Sequence, residues 1–303
     1  MRVASRALPI ADPATLPTSL PSRVRRELIR LVRPLVPART RRLLRTVPRR
    51  WRLLETYGAW QRSPGSALRY LLTDPELDNF TYRISNTDRL ASLLADALGI
   101  DASVMSGYIR ELQADRRLRT GIEDRLAVRV DRRRTMPYGR RLGWYAVVRH
   151  LKPRLVVETG IHDGLGSTVL LRALERNAAE GVDGRLLSVD IRSDAGWLIP
   201  DELRLRHEVL IGDSLALLGP AIGDRRVGFF VHDSDHAYGH ETAEFETILP
   251  LTEAGAALVS DDAHASTAFA DFCGRHDLTY RYWRERPFRH FYPGAGIGLA
   301  RVD

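Results

Sequence analysis

The chain has 303 residues, 44% of them hydrophobic, and a formal charge of +8. That is enough for one large domain with appendages, and the lone Cys273 rules out an internal disulfide or a cysteine metal cluster. Fourteen arginines against two acids in residues 1–52 leave +12 there and −4 in the remainder, so the basic character belongs to an N-terminal arm. No apolar run reaches the ~18 residues of a spanning helix, and the start of the chain lacks the apolar stretch of a signal peptide; a cytoplasmic protein is expected.

Residues 1–22 hold four prolines and little periodicity, and are expected to be disordered. Residues 23–56 read as basic helices broken at Pro34, Pro37 and Pro48. Such an arm packs by its leucines, or makes weak contact through residues 23–52 with a membrane surface or another polyanion. Residues 57–139 read as a helical extension. Within the helical stretch 66–150, Asn86-Thr87-Asp88 opens a helix that Gly99 stops, and Asp101 or Ser103 opens the next. A third helix is predicted from about Tyr138 to His150.

From residue 140 to 303 the texture is that of one domain. Apolar runs at 155–157, 186–189, 207–211, 227–231 and 257–260 alternate with helical segments at 166–179, 241–252 and 266–275. This alternation predicts an α/β fold, a mostly parallel Rossmann-like sheet with helices on both faces. Runs at 278–283 and 297–302 suit a closing pair of strands.

Each of the five runs is followed by acid: Glu158, Asp190, Asp213, Asp233 and the pair Asp261-Asp262. In an open α/β sheet ligands bind beyond the carboxyl ends of the strands, so these acids should border one crevice. The first turn runs Glu158-Thr159-Gly160-Ile161-His162-Asp163-Gly164-Leu165-Gly166-Ser167. Its glycines do not have the dinucleotide spacing G-x-G-x-x-G. A pyrophosphate is repelled by the neighbouring Glu158, whereas a sulfonium with an amino-acid tail is not. Asp190, followed by Ile191, can accept both hydroxyls of an adenosine ribose. Gly212-Asp213-Ser214 either borders the adenine or caps the following helix. Asp233, Asp261 and Asp262 offer the hard oxygen ligands that Mg²⁺ or another divalent cation prefers, and such an ion would acidify a substrate hydroxyl.

Together these residues resemble the class I S-adenosylmethionine (SAM)-dependent methyltransferases. Phe230-Val231-His232-Asp233-Ser234-Asp235-His236-Ala237-Tyr238 is similar to the D-G-D-H-x-Y element of the macrocin O-methyltransferase group, to which cephalosporin-hydroxylase-like proteins are related. Ser260-Asp261-Asp262 resembles that group's second metal half-site. The resemblance covers roughly residues 140–303 and departs at Ser234, where the group has Gly. It implies SAM bound by the 158–167 turn, Asp190, Ile191, Gly212, Asp213, Ser214 and Asp233, and metal held by Asp233, Asp261 and Asp262. It implies O-methylation of a small-molecule hydroxyl, of sugar or natural-product type. In the more distant catechol and caffeoyl-CoA O-methyltransferases a lysine base lies three residues after the first metal aspartate; here that position is His236, expected as general base, with His264 as the other histidine near the acids. Two alternatives stand beside this reading: an RNA-directed methyltransferase anchored by the arginine-rich arm, and a hydroxylase-associated SAM-binding protein that transfers nothing. A homo-oligomer is the default expectation.

Overall fold

The computed structural model describes residues 38–73, 80–129 and 135–303, with side chains from residue 45 onward. The expectations for residues 1–37 lie outside the described residues. Two compact units divide at Pro48. Of the first, the described part is helical: Pro48, where a break was expected, lies inside helix α1, Ala38–Thr56.

In the second unit, α2 (Ala59–Arg62) and α3 (Pro64–Leu72) are followed by α4 (Thr87–Leu98), α5 (Ala102–Ala114), α6 (Arg116–Ala127) and α7 (Arg141–Leu151). Local chemistry sets these bounds. Gly99 closes α4 in the left-handed region at φ 68°. Asp101 accepts a hydrogen bond from the Ser103 amide at 2.7 Å and opens α5. Asn86 does not cap α4 with its side chain. Its amide instead clamps the 284–286 segment, donating to the Arg284 carbonyl and accepting from the Arg286 amide, each at 2.9 Å.

The sheet has seven strands in the order β3-β2-β1-β4-β5-β7-β6. They are β1 Leu155–Thr159, β2 Arg185–Asp190, β3 His207–Ile211, β4 Val227–His232, β5 Thr252–Ser260, β6 Arg281–Arg284 and β7 Gly296–Arg301. The first five are parallel, and β7 and β6 add antiparallel. Helices α8 (Leu165–Ala179), α9 (Ser214–Ile222), α10 (Tyr238–Ile248) and α11 (Ala268–Arg275) cross between strands. The helix expected over 241–252 stops at Ile248, because Pro250 lacks the amide the next turn requires; β5 then starts at Thr252.

Alternate residues of each central strand face opposite layers. Val156, Phe229, Val231 and Val259 join the cluster formed with α4 to α8. Val157, Phe230 and Leu258 join the cluster under α9 to α11. Burial on both faces explains why these strands read as continuous apolar runs rather than alternating ones. A third cluster, with Leu54, Ala59, Ala67 and Tyr70, closes on Phe291 of the β6–β7 loop. No helix among the described residues is long and apolar enough to cross a membrane.

Candidate active site

Strand register assembles the site. Thr159 lies beside His232, and His232 beside Ser260. The next residues, Gly160, Asp233 and Asp261, therefore leave the sheet side by side at the carboxyl edge.

The first turn is shaped by backbone that only glycine tolerates. Gly160 has φ +84°, and a Cβ there would lie 1.9 Å from the carbonyl oxygen of Asp233. Gly164, at φ +94°, starts α8, where a Cβ would meet Gly196 Cα at 2.8 Å. His162 is itself left-handed at φ 48°. Asp190 holds this turn: its Oδ2 accepts from the amides of Ile161 and His162, both at 2.8 Å, and its Oδ1 from the Arg192 amide at 2.8 Å. Ile191 beside it is 80% exposed, an apolar face free at the strand end.

Glu158 is only 1% exposed. Its Oε2 accepts from Ser167 Oγ at 2.5 Å and Ser188 Oγ at 2.8 Å, and a Cβ at Gly166 would crowd its Oε1 at 2.7 Å. Burial pushes its carboxyl up to about 7, against the pull of the two serine hydroxyls. The acid read as a contact for the cofactor's charged tail thus lies under the turn, bonded to its frame. Asp213 caps α9 by accepting from the Leu215 amide at 3.0 Å, which is the second of the two roles its position allowed.

One cluster had no counterpart in the sequence reading. Glu244 of α10, fully buried, accepts from Thr159 Oγ1 at 2.6 Å, Ser234 Oγ at 2.9 Å and the Ser214 hydroxyl. His232 Nδ1 lies 2.7 Å and His240 Nε2 2.9 Å from it. Burial raises this carboxyl, but His232 and the hydroxyls override that and bring it down to about 2. A helical glutamate among charged neighbours gives no sequence sign of such a role. Glu244 ties together the carboxyl ends of β1 and β4, the start of α9 and the residue Ser234 past β4.

The structure does bring Asp233, Asp261 and Asp262 to one place, together with His236. His236 Nε2 lies 3.9 Å from Asp233 Oδ1 and 3.7 Å from Asp262 Oδ2. Arginine side chains engage the acids expected to hold metal. The guanidinium of Arg140 engages both oxygens of Asp261 through Nε and Nη2. Nη2 also lies 3.2 Å from Asp262 Oδ1, and Nη1 3.4 Å from Glu285 Oε1. Arg141 Nη2 lies 3.4 Å from Asp233 Oδ2. Both oxygens of Asp261 and one oxygen of Asp233 are engaged by guanidiniums, and the described residues contain no group of three or more His, Cys, Asp or Glu arranged to hold a metal. A divalent ion does not fit this donor set.

The charges follow that arrangement. Burial raises Asp261, but Arg140 overrides it and holds the carboxyl down at about 2. Burial, then the charge of Asp261, lifts Asp233 well above the carboxylate range. His264 accepts from the Gly296 amide through Nδ1 at 3.3 Å, and its Nε2 lies 3.4 Å from the Tyr292 hydroxyl. Burial lowers its proton affinity.

Residues 157–263 match the family model described as a methyltransferase domain. No curated protein matches the chain. Among solved structures, the chain is similar to the O-methyltransferase TomG from Streptomyces achromogenes, crystallised with SAM: 20% identity, 62% of this chain and 90% of that one, TM-score 0.46. It is similar to the Bacillus cereus O-methyltransferase in complex with SAH, at 16% identity, 71% and 97% coverage, and TM-score 0.41. A cmcI-D160 structure with Mg and SAM gives 18% identity, 53% and 69% coverage, and TM-score 0.36.

Proposed function

We infer that this chain, a class I SAM-dependent methyltransferase, moves the methyl group of SAM onto a hydroxyl oxygen of a small molecule of sugar or natural-product type. The observation that carries this reading is the position of His236. It lies three residues past Asp233, whose backbone carbonyl touches Gly160 of the turn expected to take the cofactor. An imidazole therefore stands at the strand end beside the turn that would hold the cofactor.

In the proposed step the neutral His236 accepts the acceptor's hydroxyl proton. The oxygen lone pair forms the new C–O bond to the methyl carbon. The S–C bond breaks, its electrons return to sulfur, and S-adenosylhomocysteine leaves as a neutral thioether. His264 suits the base role less, because its Nδ1 lone pair is engaged by the Gly296 amide. Asp190 and Ile191 offer the ribose and adenine a carboxylate rim and an apolar face. Gly212, Asp213 and Ser214 border the same edge.

Aromatic rings support a ring-shaped acceptor. Tyr57 stacks edge-on to Tyr292 at 5.0 Å between centroids, and Asp262 lies close enough that, after burial, its charge raises the phenol of Tyr57. Such faces suit sugar or aromatic rings.

The test is transfer of labelled methyl from SAM across a panel of hydroxylated sugars and phenols, with amines and RNA as controls. Label in a base-stable ether bears the reading out. Label only in RNA or amines, or none in any acceptor by a protein that binds SAM, overturns it.

A further inference from the structure

We propose that the guanidinium of Arg140 takes the place that the family resemblance gives to a divalent cation, so that the acid cluster beside His236 works without metal. Asp261 is fully buried and Arg140 nearly so, and both Asp261 oxygens are taken by Nε and Nη2 of one planar fork, the geometry in which arginine binds carboxylate most strongly. The remaining edge of the same guanidinium faces Glu285, which is buried and bonded in turn by the Tyr82 hydroxyl and the Ala295 amide at 2.9 Å. Arg140 is thus held from both sides by buried carboxylates.

A hard dication needs oxygen ligands at about 2.0–2.6 Å. To reach Asp261 it would have to displace a guanidinium that has a second buried carboxylate of its own, and then sit beside that displaced positive charge. Arg141 presents the same obstacle at Asp233, 3.4 Å away. The sequence places Arg140 and Arg141 immediately before and at the start of α7, so the helix that covers the sheet edge delivers both cations together. Asp262, left-handed at φ 52° and 3.2 Å from Arg140, is then aimed at His236, 3.7 Å away. Arg140 is a positioning residue, acting on the base through Asp262. That consequence rests on the methyl-transfer reading; the occupation of the acid cluster does not.

The experiment is a titration of the metal-free full-length protein with Mn²⁺ alone, followed by electron paramagnetic resonance of free Mn²⁺, on wild type, Arg140→Met and Asp261→Asn. The proposal expects no stoichiometric Mn²⁺ site in wild type and one acquired by Arg140→Met. One Mn²⁺ per chain in wild type, lost in Asp261→Asn, overturns it, as does a folded Arg140→Met that binds no Mn²⁺. Should Arg140→Met fail to fold, the wild-type and Asp261→Asn titrations decide alone. Calorimetric SAM binding to the same samples is read separately, so failure of the cofactor reading cannot be mistaken for failure of this one.

Discussion

The carbonyl oxygen of Asp233 lies 1.9 Å from where a Cβ on Gly160 would stand. The turn after β1 and the strand end carrying the reactive residues are therefore packed backbone to backbone. A methyl group cannot be accommodated by rotating a side chain, and alanine at φ +84° adds about 1–2 kcal/mol of strain. Gly160→Ala is expected to lower the unfolding temperature and to cost SAM affinity at least tenfold. Calorimetry and thermal unfolding check both; wild-type affinity in that variant would show that the turn does not form the cofactor site.

Glu158 makes stability depend on pH. Its folded carboxyl titrates at about 7, above the 4.5 of an ordinary glutamate. Below 4.5 both folded and unfolded states are protonated and the site costs nothing. Between 4.5 and 7 the folded state keeps a proton that the unfolded chain releases, so stability falls as pH rises. Glu158→Gln removes that loss, on the order of 3 kcal/mol across the window. Chemical unfolding at pH 5 and pH 7.5 should show the variant gaining on wild type at the higher pH. A difference independent of pH would mean that Glu158 is ionised in the fold.

Glu244 works in the other direction. Its carboxyl is held at about 2, below the unfolded value, so its contribution is present above pH 4.5 and is lost as pH falls toward 2. Glu244→Gln should flatten the acid limb of the stability profile between those values. An unchanged acid limb would remove Glu244 as the clamp of the strand ends.

His236→Ala is expected to lose about 10²- to 10⁴-fold in kcat while binding SAM as wild type does. Retained kcat would pass the base role to another group.

Much of this arrangement was legible in the sequence because β1, β2, β4 and β5 are buried on both faces and so appear as unbroken apolar runs, each ending in acid. Helix α6 was not singled out. Its apolar residues, Leu118, Ile122 and Leu126, recur only every fourth position among arginines, and its cap is Asp115, which accepts from the Leu118 amide at 3.0 Å. Arg140 and Arg141 were hidden for a related reason. In a chain where every cationic Lys or Arg residue but Lys152 is arginine, two adjacent arginines carry no local signal. Only the fold, which sets them against Asp261 and Asp233, distinguishes them from solvated charge. The three aspartates were correctly brought together by residue type and spacing, but neither could reveal that α7 supplies their counter-charge.

The most direct measurement is a calorimetric titration of the purified protein with SAM, repeated with S-adenosylhomocysteine in competition. A single site per chain is expected, which the product displaces and Gly160→Ala weakens. Absence of binding by a folded protein would contradict it and leave the crevice at the carboxyl edge of the sheet to a different ligand.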